Sequence, residues 1–543
     1  MGDVLRWRVL PMLVLLASSL VLYVRILPKK SISDCSLLPY DHYWITSKRI
    51  VTPQGVIKGA VEVREGKIVS VVESDYQKGS LLGRKVVDYG NAVIMPGLID
   101  VHAHLDEPGR VEWEGFSSGT KAAAAGGVTT LVDMPLNSFP STVSEETLRM
   151  KVEAAQKKIY VDVGFWGGLV PDNAFNISML EGLLHAGALG LKSLVIATGR
   201  DRILENEFEI ESDIKILTFH FSFCSVESFM CPSGINDFPM TNSTHIKEGL
   251  YVLAKFKRPL LVHAEVVSDS KNNEGLLDDD PSYQSYATYL KSRPPSWEEA
   301  AIKDLLAVAQ DTKTGGQAEG AHVHIVHLSD AKASLDLIED EKRNGPNGAS
   351  ISVETCPHYL AFAAEEIADG DTRFKCAPPI RDVTNRQNLW EALIDGHIDM
   401  LSSDHSPSIP ELKLFDEGDF LRAWGGISSL QYVLPITWTY GQKYGVSFSQ
   451  IATWWSERPA KLAGQKYKGA IILGNDADFA VWEPEVEFEL DENYKTYHKH
   501  PNISPYIGRR LSGKVLATFV RGNLVFSEGS HAPAACGSPI LAK

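Results

Sequence analysis

Six polar side chains that can bind metal ions or move protons stand at or near the ends of short apolar runs. They are His102, His104, Lys192, His263, His327 and Asp404. In a parallel α/β barrel, successive strands each present a side chain at the same rim, and the active site is assembled there. The spacing therefore predicts a metal-dependent hydrolase.

Two of the imidazoles come from one strand. His102 and His104 follow the run VIMPGLIDV, and alternate side chains of a strand share a face, so both rings can bind the same ion. His263 and His327 end the runs RPLLV and HVHIV. A lone histidine in such a run is more often a packed core residue, but the position at a strand end favours metal binding.

Lys192 lies inside the apolar run GALGLKSLV. A charged amine in such a strand carries a large desolvation cost, and burial lowers its pKa toward the neutral form. A neutral amine reacts with carbon dioxide to form a carbamate, whose two oxygens can bridge two divalent cations. The alternative is a lysine that extends its amine to solvent at a strand edge; the other ligand candidates favour the carbamate.

Asp404 follows the last apolar run, in DMLSSDHSP. Its carboxylate can bind one cation and still accept a proton from a metal-bound water, which makes it the candidate catalytic residue. Capping of the following loop is the alternative role. His322 and His324 precede His327 in the same run without ending it, and we expect them to pack or to support the ligands.

Strand-like runs alternate with helical patterns through the middle of the chain. Besides the run that ends at Asp100, they are GVTTLVDMP, YVDVGFWGG, GALGLKSLV, RPLLVHAE, AHVHIVHLS, ASISVETCP and DMLSSDH. Helical stretches such as SEETLRMKVEAAQKK lie between them, which predicts a parallel sheet. About eight strands is the barrel number, so we predict an α/β fold, a (β/α)8 TIM barrel.

Both ends of the chain are predicted to form β-hairpins. Residues 59–73 hold two alternating runs joined by an Arg-Glu-Gly turn, and the later runs ADFAVWEPEVEFEL and GKVLATFVRGNLVFSEG repeat the pattern. We predict one small β-sandwich built from residues 42–95 and 464–530, around a barrel of residues 96–463. The polar segment 219–248 is expected to be an insertion or lid over the rim.

Residues 1–30 have the pattern of a targeting segment. Basic residues flank an uncharged apolar run at 9–24 on both sides, as in a signal peptide or signal anchor; a core helix is the alternative. The pattern predicts the endoplasmic reticulum or secretory pathway, with membrane association if the segment is retained. Whether it is cleaved stays open.

Three sequons and six cysteines bear on the same compartment. Asn176-Ile-Ser, Asn242-Ser-Thr and Asn502-Ile-Ser are compatible with N-glycosylation, although such tripeptides also occur by chance. The cysteines have neither the spacing of a disulfide framework nor that of a structural zinc site. Cys224 and Cys231 are expected either to pair across one loop or to stay free thiols.

The composition excludes one class of partner. The formal net charge is -16, and no concentrated basic block appears in the globular part. Because phosphate neutralisation needs such a surface, we expect no nucleic-acid partner.

Taken together, the motifs resemble the amidohydrolase superfamily over roughly residues 42 to 530. They are MPGLIDVHAHLDEPGR, AAAAGGVTTLVDMPLN, GLKS, VHAE, VHLS, VETCPHYL, KCAPPIR and SSDHSP. They are similar in particular to the cyclic amidohydrolases, a group that contains dihydroorotase, hydantoinase and allantoinase. This resemblance implies the barrel with its β-sandwich, and a homo-oligomer in the form of a tetramer.

The resemblance also implies two divalent metal ions. Zinc is the expected metal, with manganese or another divalent ion as the alternative, and carboxylated Lys192 and a hydroxide would bridge the pair. One ion would be held by His102, His104, Lys192 and Asp404. The other would be held by Lys192, His263 and His327.

Departures within the motifs narrow the substrate. Dihydroorotases typically carry an Arg and a His that help hold the substrate carboxylate, and this chain has Asp106 and Ser408 there. Asp106 would repel a carboxylate, and the string HLDEPGR is similar to allantoinases, whose substrate is neutral. The overall match, together with the apolar segment near the N-terminus, resembles the plant type. The resemblance thus implies hydrolysis of allantoin to allantoate, in purine catabolism. Another cyclic amidase, namely a hydantoinase, dihydropyrimidinase or dihydroorotase, or a non-catalytic scaffold of this fold, is the alternative.

Substrate contacts are expected at two places. Asn137 is a candidate hydrogen-bond partner for the ureide, with a turn or helix N-cap role as the alternative. By resemblance, backbone groups at 377–379 would also contribute. Lys375 and Arg381 are expected to be solvated.

Overall fold

The computed structural model describes residues 32–73, 83–195, 238–266 and 282–543. The predicted targeting segment, Cys224 and Cys231 lie outside these ranges, as does most of the predicted lid. At the described end of that segment, residues from Ser243 onward form a helix, and the insertion or lid stays a prediction. Asn242 caps that helix, because its side chain accepts hydrogen bonds from the backbone N–H groups of Thr244 and His245. Among the described residues, no helix has the length and apolar character needed to cross a membrane.

The strands alternate with helices through the middle of the chain and are clustered at its ends. The strands are β1 (His42–Thr52), β2 (Gly55–Arg64), β3 (Lys67–Glu73), β4 (Val86–Asp88), β5 (Val93–Pro96), β6 (Leu98–Ala103), β7 (Val128–Asp133), β8 (Asp162–Phe165), β9 (Gly167–Gly168), β10 (Leu191–Val195), β11 (Pro259–Ala264), β12 (His322–Ile325), β13 (Ile351–Thr355), β14 (Met400–Leu401), β15 (Phe479–Glu489), β16 (Arg510–Val520), β17 (Asn523–Ser527), β18 (Ser530–His531) and β19 (Pro539–Ile540). The α-helices are Ile32–Cys35, Phe116–Ala125, Glu145–Ala155, Pro171–Ala174, Ile177–His185, Ser243–Phe256, Tyr286–Ser292, Pro295–Ala309, Ala333–Arg343, Pro357–Ala361, Val383–Asp395, Val433–Gly441, Phe448–Ala452 and Arg458–Leu462.

The central strands form the predicted parallel barrel. β6, β7 and β8 pair in order, and β9 to β14 pair in order, all in parallel. β8 and β9 are one strand interrupted only at Trp166, whose N–H still donates to the carbonyl of Asp133 on β7. A parallel bridge between Ala103 and His405 joins the first barrel strand to the segment after the last. The described residues thus give eight strand positions, as predicted.

Strands from both chain ends form one sheet, in the order β18-β17-β16-β15-β5-β1-β2-β3, with β4 paired to β1. The predicted hairpins are confirmed: β2 pairs antiparallel with β3, and β16 with β17. β5 lies between β1 and β15, so the N-terminal and C-terminal strands share one ladder. The boundaries at 42–95, 96–463 and 464–530 stay a prediction.

The two hairpin turns also contact each other. Gly66 and Gly522 occupy their second positions with φ of 79° and 73°, a conformation that glycine adopts without steric cost. A Cβ on Gly522 would lie 3.0 Å from the Cα of Gly66. The turns therefore pack backbone against backbone, which requires a glycine at this approach.

The first and last segments of the described residues are joined covalently. Cys35 and Cys536 form a disulfide across a sequence separation of 501 residues, a pairing that the sequence analysis did not predict. The tail beyond Cys536 continues to β19, which pairs in parallel with β8 of the barrel. Among the described residues, Cys356 and Cys376 are free and buried.

Candidate metal centre

The six ligand candidates meet at one rim because parallel strands end together. His102 lies in β6, Lys192 in β10 and His263 in β11, whereas His104, His327 and Asp404 follow β6, β12 and β14 within three residues. The N–H of His104 donates to the carbonyl of His405, 2.8 Å away, which holds the first and last barrel strands together beside the site. All six side chains line one cavity.

His102, His104 and Asp404 form one group. The Nε2 atoms of His102 and His104 lie 3.2 and 3.6 Å from Oδ1 of Asp404. All three side chains are buried, and one ligand atom from each falls within a 4.8 Å cluster. Two imidazoles and a carboxylate are a donor set that suits a divalent transition metal.

His263 and His327 form a second group on the other side of Lys192 along the strand order. Nδ1 of His263 lies 2.9 Å from Nε2 of His327, and the rings of His102 and His327 are 5.3 Å apart between centroids. The two groups are therefore close enough to share a bridging ligand.

Lys192 supplies an unsatisfied atom to this site. Its Nζ is buried and has no hydrogen-bond partner among the described residues. Burial lowers the pKa of Lys192 to about 8, which brings the neutral amine within reach near neutral pH. An orphaned amine of this kind is the group that a carbamate or a bound ion would satisfy.

Charge states at the site suit cation binding. Burial lowers the pKa of His102 to about 4, so its imidazole is neutral at pH 7. Burial alone would raise the pKa of Asp404, but the imidazoles of His102 and His104 hold it at about 2. Neutral imidazoles and an ionised carboxylate are the forms that bind metal.

Two carboxylates hold the histidines from behind, and the sequence analysis missed both. Oε1 of Glu354 lies 2.7 Å from Nδ1 of His102, and Oε2 of Glu265 lies 2.9 Å from Nε2 of His263. Such contacts orient metal-binding imidazoles and fix which nitrogen carries the proton. The signal available was an acidic residue inside an apolar strand, in ISVET, or directly after one, in LLVHAE.

Both carboxylates are held ionised. Burial would raise the pKa of Glu354, but hydrogen bonds from His102 and His324 hold it well below its usual range. Burial would also raise the pKa of Glu265, but Arg293 and His263 hold it at about 2. The prediction that His324 supports the ligands is consistent with this contact, which reaches His102 through Glu354.

Family models match nearly all of the described chain. Residues 38–92 match the allantoinase composite domain, and residues 93–525 match the amidohydrolase family. The chain belongs to the amidohydrolase family.

Relatives and solved structures agree with that placement. A probable allantoinase of Oryza sativa subsp. japonica is 63% identical over 99% of this chain and 98% of its own length. An allantoinase of Arabidopsis thaliana is 62% identical over 99% of both chains. The structure of an L-hydantoinase (dihydropyrimidinase) from Arthrobacter aurescens covers 92% of this chain and 100% of its own, with a TM-score of 0.75 and 24% identity. At that identity the last match shows the fold alone.

The cavity of this amidohydrolase has a volume of about 450 Å³. Asn137, Tyr289, Ala377 and Trp424 line it beside the ligand candidates. Asn137 has φ of 69°, and its amide lies 3.2 Å from Nδ1 of His104 and 3.3 Å from Oγ of Ser406. It therefore contacts a ligand candidate as well as the cavity, and its predicted contact with substrate stays a prediction.

Asp106 and Ser408 do not take the positions expected of them. Both are buried, and neither is among the described residues that line the cavity. The backbone of Asp106 has φ of 62°, so the chain turns there, and Ser408 Oγ donates to the carbonyl of Ile409. The expectation that Asp106 faces and repels a substrate carboxylate is wrong, because the turn after His104 takes its side chain out of the cavity.

Arg381 is also placed differently from the prediction. It is 5% exposed and pairs with Glu298 at 2.9 Å, so the expectation of a solvated side chain is wrong. Its guanidinium also donates to the carbonyl of Arg293, whose side chain pairs with Glu265. Lys375 lines the cavity and donates to the carbonyls of Leu421 and Ala423, so it is bonded to protein groups instead of being fully solvated.

Proposed function

We propose that this amidohydrolase opens the hydantoin ring of allantoin to give allantoate. The observation that carries the proposal is the convergence of all six ligand candidates on one cavity, in a chain whose relatives with 62–63% identity over 99% of its length are named as allantoinases. Rings of related structure, such as hydantoin and dihydrouracil, are the alternative substrates.

The residues fit a binuclear divalent centre. His102, His104 and Asp404 with Lys192 would hold one ion, and Lys192 with His263 and His327 the other, with Lys192 carboxylated as the bridge. Zinc is the expected metal. Divalent ions bound there would lower the pKa of water toward about 7 and would polarise an amide carbonyl.

The residues of the chain then move the proton. The carboxylate of Asp404 accepts the proton of the attacking water while the carbon–oxygen bond forms, and delivers it to the ring nitrogen as the carbon–nitrogen bond breaks. Glu354 and Glu265 hold His102 and His263 in their orientations throughout. One water is consumed, and the product is a single open-chain molecule that carries the new carboxylate and a terminal ureido NH2 at the former ring nitrogen, with one net proton released.

The test is turnover by the purified full-length protein on a panel of cyclic ureides, with metal analysis of the same sample. We expect ring opening of allantoin with little or no turnover of dihydroorotate, and about two divalent ions per chain. Faster turnover of hydantoin or dihydrouracil would assign the protein to a sister activity. No turnover of any ring by metal-loaded protein would favour a scaffold role.

We also propose that the protein resides in the endoplasmic reticulum. The basic-apolar-basic pattern of residues 1–30 supports this, and so does the Cys35–Cys536 disulfide, because such bonds persist in oxidising compartments. Asn176 and Asn502 of two sequons are exposed. A reporter fused to residues 1–30 should enter the reticulum; a diffuse cytosolic signal would contradict the targeting proposal and leave the enzymatic one intact.

We further propose the homo-tetramer that the family resemblance implies. Light scattering of the purified protein would test this oligomeric state.

A further inference from the structure

Polar side chains on β12 and the neighbouring segment of β13 form a line of hydrogen bonds that ends at His102. Nδ1 of His322 lies 2.8 Å from Oγ of Ser350, and its Nε2 lies 2.6 Å from Oγ of Ser352. Ser352 Oγ also lies 2.7 Å from Nδ1 of His324, whose Nε2 lies 3.0 Å from Oε2 of Glu354. Oε1 of Glu354 then contacts His102.

The strand register explains how these side chains come together. β12 and β13 are parallel, and His324 is directly opposite Ser352. His322 and His324 are two residues apart, as are Ser350, Ser352 and Glu354, so each set points to one face. His324 and Glu354 are completely buried, whereas His322 at the far end of the line is half-buried.

The donors and acceptors of this line have one consistent order. A carboxylate can only accept, so both His102 Nδ1–H and His324 Nε2–H donate to Glu354. A single ring proton on Nε2 leaves Nδ1 of His324 to accept from the Ser352 hydroxyl. Ser352 Oγ in turn accepts from Nε2–H of His322, and the Ser350 hydroxyl donates to Nδ1 of His322.

We propose that Glu354, His324, Ser352 and His322 are positioning residues that fix the proton of His102 on Nδ1 and leave its Nε2 free for a metal ion. This inference rests on the metal centre given under the proposed function. In this proposal, His102 is supported by a line of side chains across two strands as well as by the Glu354 carboxylate. The hydroxyl of Ser352 therefore influences metal affinity. None of these residues touches the reacting atoms.

Zinc affinity tests the proposal without reference to turnover. The full-length protein is stripped of metal, and zinc binding is measured by competition with a chromophoric chelator for the wild type, Glu354→Gln and Ser352→Ala. We expect Glu354→Gln to lower the affinity for one of the two zinc ions by about 10- to 100-fold, which is the usual effect of losing such a contact. Ser352→Ala leaves Glu354 in place and should lower the affinity for the same zinc ion several-fold.

Ser456→Ala is the matched control for the smaller variant. Ser456 is buried like Ser352, and its hydroxyl donates a hydrogen bond to the carbonyl of Pro96. It should bind zinc as the wild type does. Equal zinc affinity in Ser352→Ala and Ser456→Ala would overturn the proposal. A wild type that binds no zinc would overturn the metal centre itself, which is a distinguishable failure.

Nitrogen NMR of histidine-labelled, zinc-loaded protein provides a second readout. In the wild type, the proton of His324 should be on Nε2. The Glu354→Gln variant replaces two acceptor oxygens with one acceptor and one donor; if the amide oxygen accepts from His102, the amide N–H must donate to Nε2 of His324. The His324 proton should therefore move to Nδ1, a change that loss of packing would not cause. A His324 proton that stays on Nε2 in this variant would contradict the proposed order.

Discussion

At the scale of single residues, Lys192 and Asp106 are both buried groups without a hydrogen-bond partner among the described residues, and their surroundings differ. Lys192 lies among the ligand candidates at the rim. Asp106 lies outside the cavity, near the carboxylates of Asp133 and Glu114. The lack of a hydrogen-bond partner therefore favours carboxylation or ion binding at Lys192, whereas at Asp106 it favours the neutral form of the carboxyl.

Lys192→Ala should abolish turnover and remove half or more of the bound metal, because the proposed bridge between the ions is lost. A short-chain carboxylate such as acetate or propionate, added to the variant, should restore part of both, since it replaces the two oxygens of the carbamate. The measurements are turnover and metal content with and without the carboxylate. Lys461→Ala, at an exposed position, is the control, and full activity in Lys192→Ala would rule out the bridge.

Asp106→Asn should raise the stability of the metal-free protein, compared with the wild type, by more at pH 7 than at pH 4. Burial, together with Asp133 and Glu114, raises the pKa of Asp106 well above its usual value. When the pKa of a carboxyl is higher in the folded protein than in the unfolded chain, the protein loses stability as the pH rises above about 3.9. An amide at the same position does not titrate and causes no such loss. Melting temperatures of both proteins at the two pH values check this. If the melting temperature of the variant were lower than that of the wild type by the same amount at both pH values, Asp106 would be ionised and paired.

At the scale of elements, glycine is required where the two hairpin turns meet. Gly522→Ala should lower the free energy of unfolding by more than Gly529→Ala does, measured by urea denaturation. Both glycines have positive φ, 73° and 83°, which costs an alanine about 1–2 kcal/mol. Only at Gly522 would the new Cβ also contact backbone, whereas nothing lies within 4 Å at Gly529. Equal losses would mean that the turns do not press on each other.

The elements themselves were largely predictable from the sequence. Each predicted barrel run contains an observed strand, because a strand buried on both faces is rich in apolar residues. The six ligand candidates were predictable because strand ends converge. Glu354 and Asp106 were not, since the partner of Glu354 lies 252 positions away in sequence and the turn at Asp106 depends on tertiary contacts. The same holds for Arg381, which is buried only because Glu298 lies beside it.

At the scale of the whole molecule, the disulfide between Cys35 and Cys536 joins the segment before β1 to the tail after β18. Cys536→Ser should lower the stability of the metal-free protein by about 2–5 kcal/mol and expose the tail, including β19, to protease. Cys35→Ser should cause the same loss, and the double variant no further loss, because all three remove one bond. Melting curves and timed proteolysis are the measurements. Additive losses would show that the two cysteines are not paired.

The placement of β5 has a consequence for the time course of synthesis. β5 ends at Pro96, and its partner β15 begins at Phe479, so about 380 residues must be translated before that edge is covered. At 5–20 residues per second, the interval is roughly 20 to 80 s. During it, the nascent chain carries a fully apolar strand with one open edge, the kind of edge that recruits other strands. The growing barrel must therefore mature beside an unfinished sheet, and this edge is where a chaperone would have to act on the ribosome-bound chain.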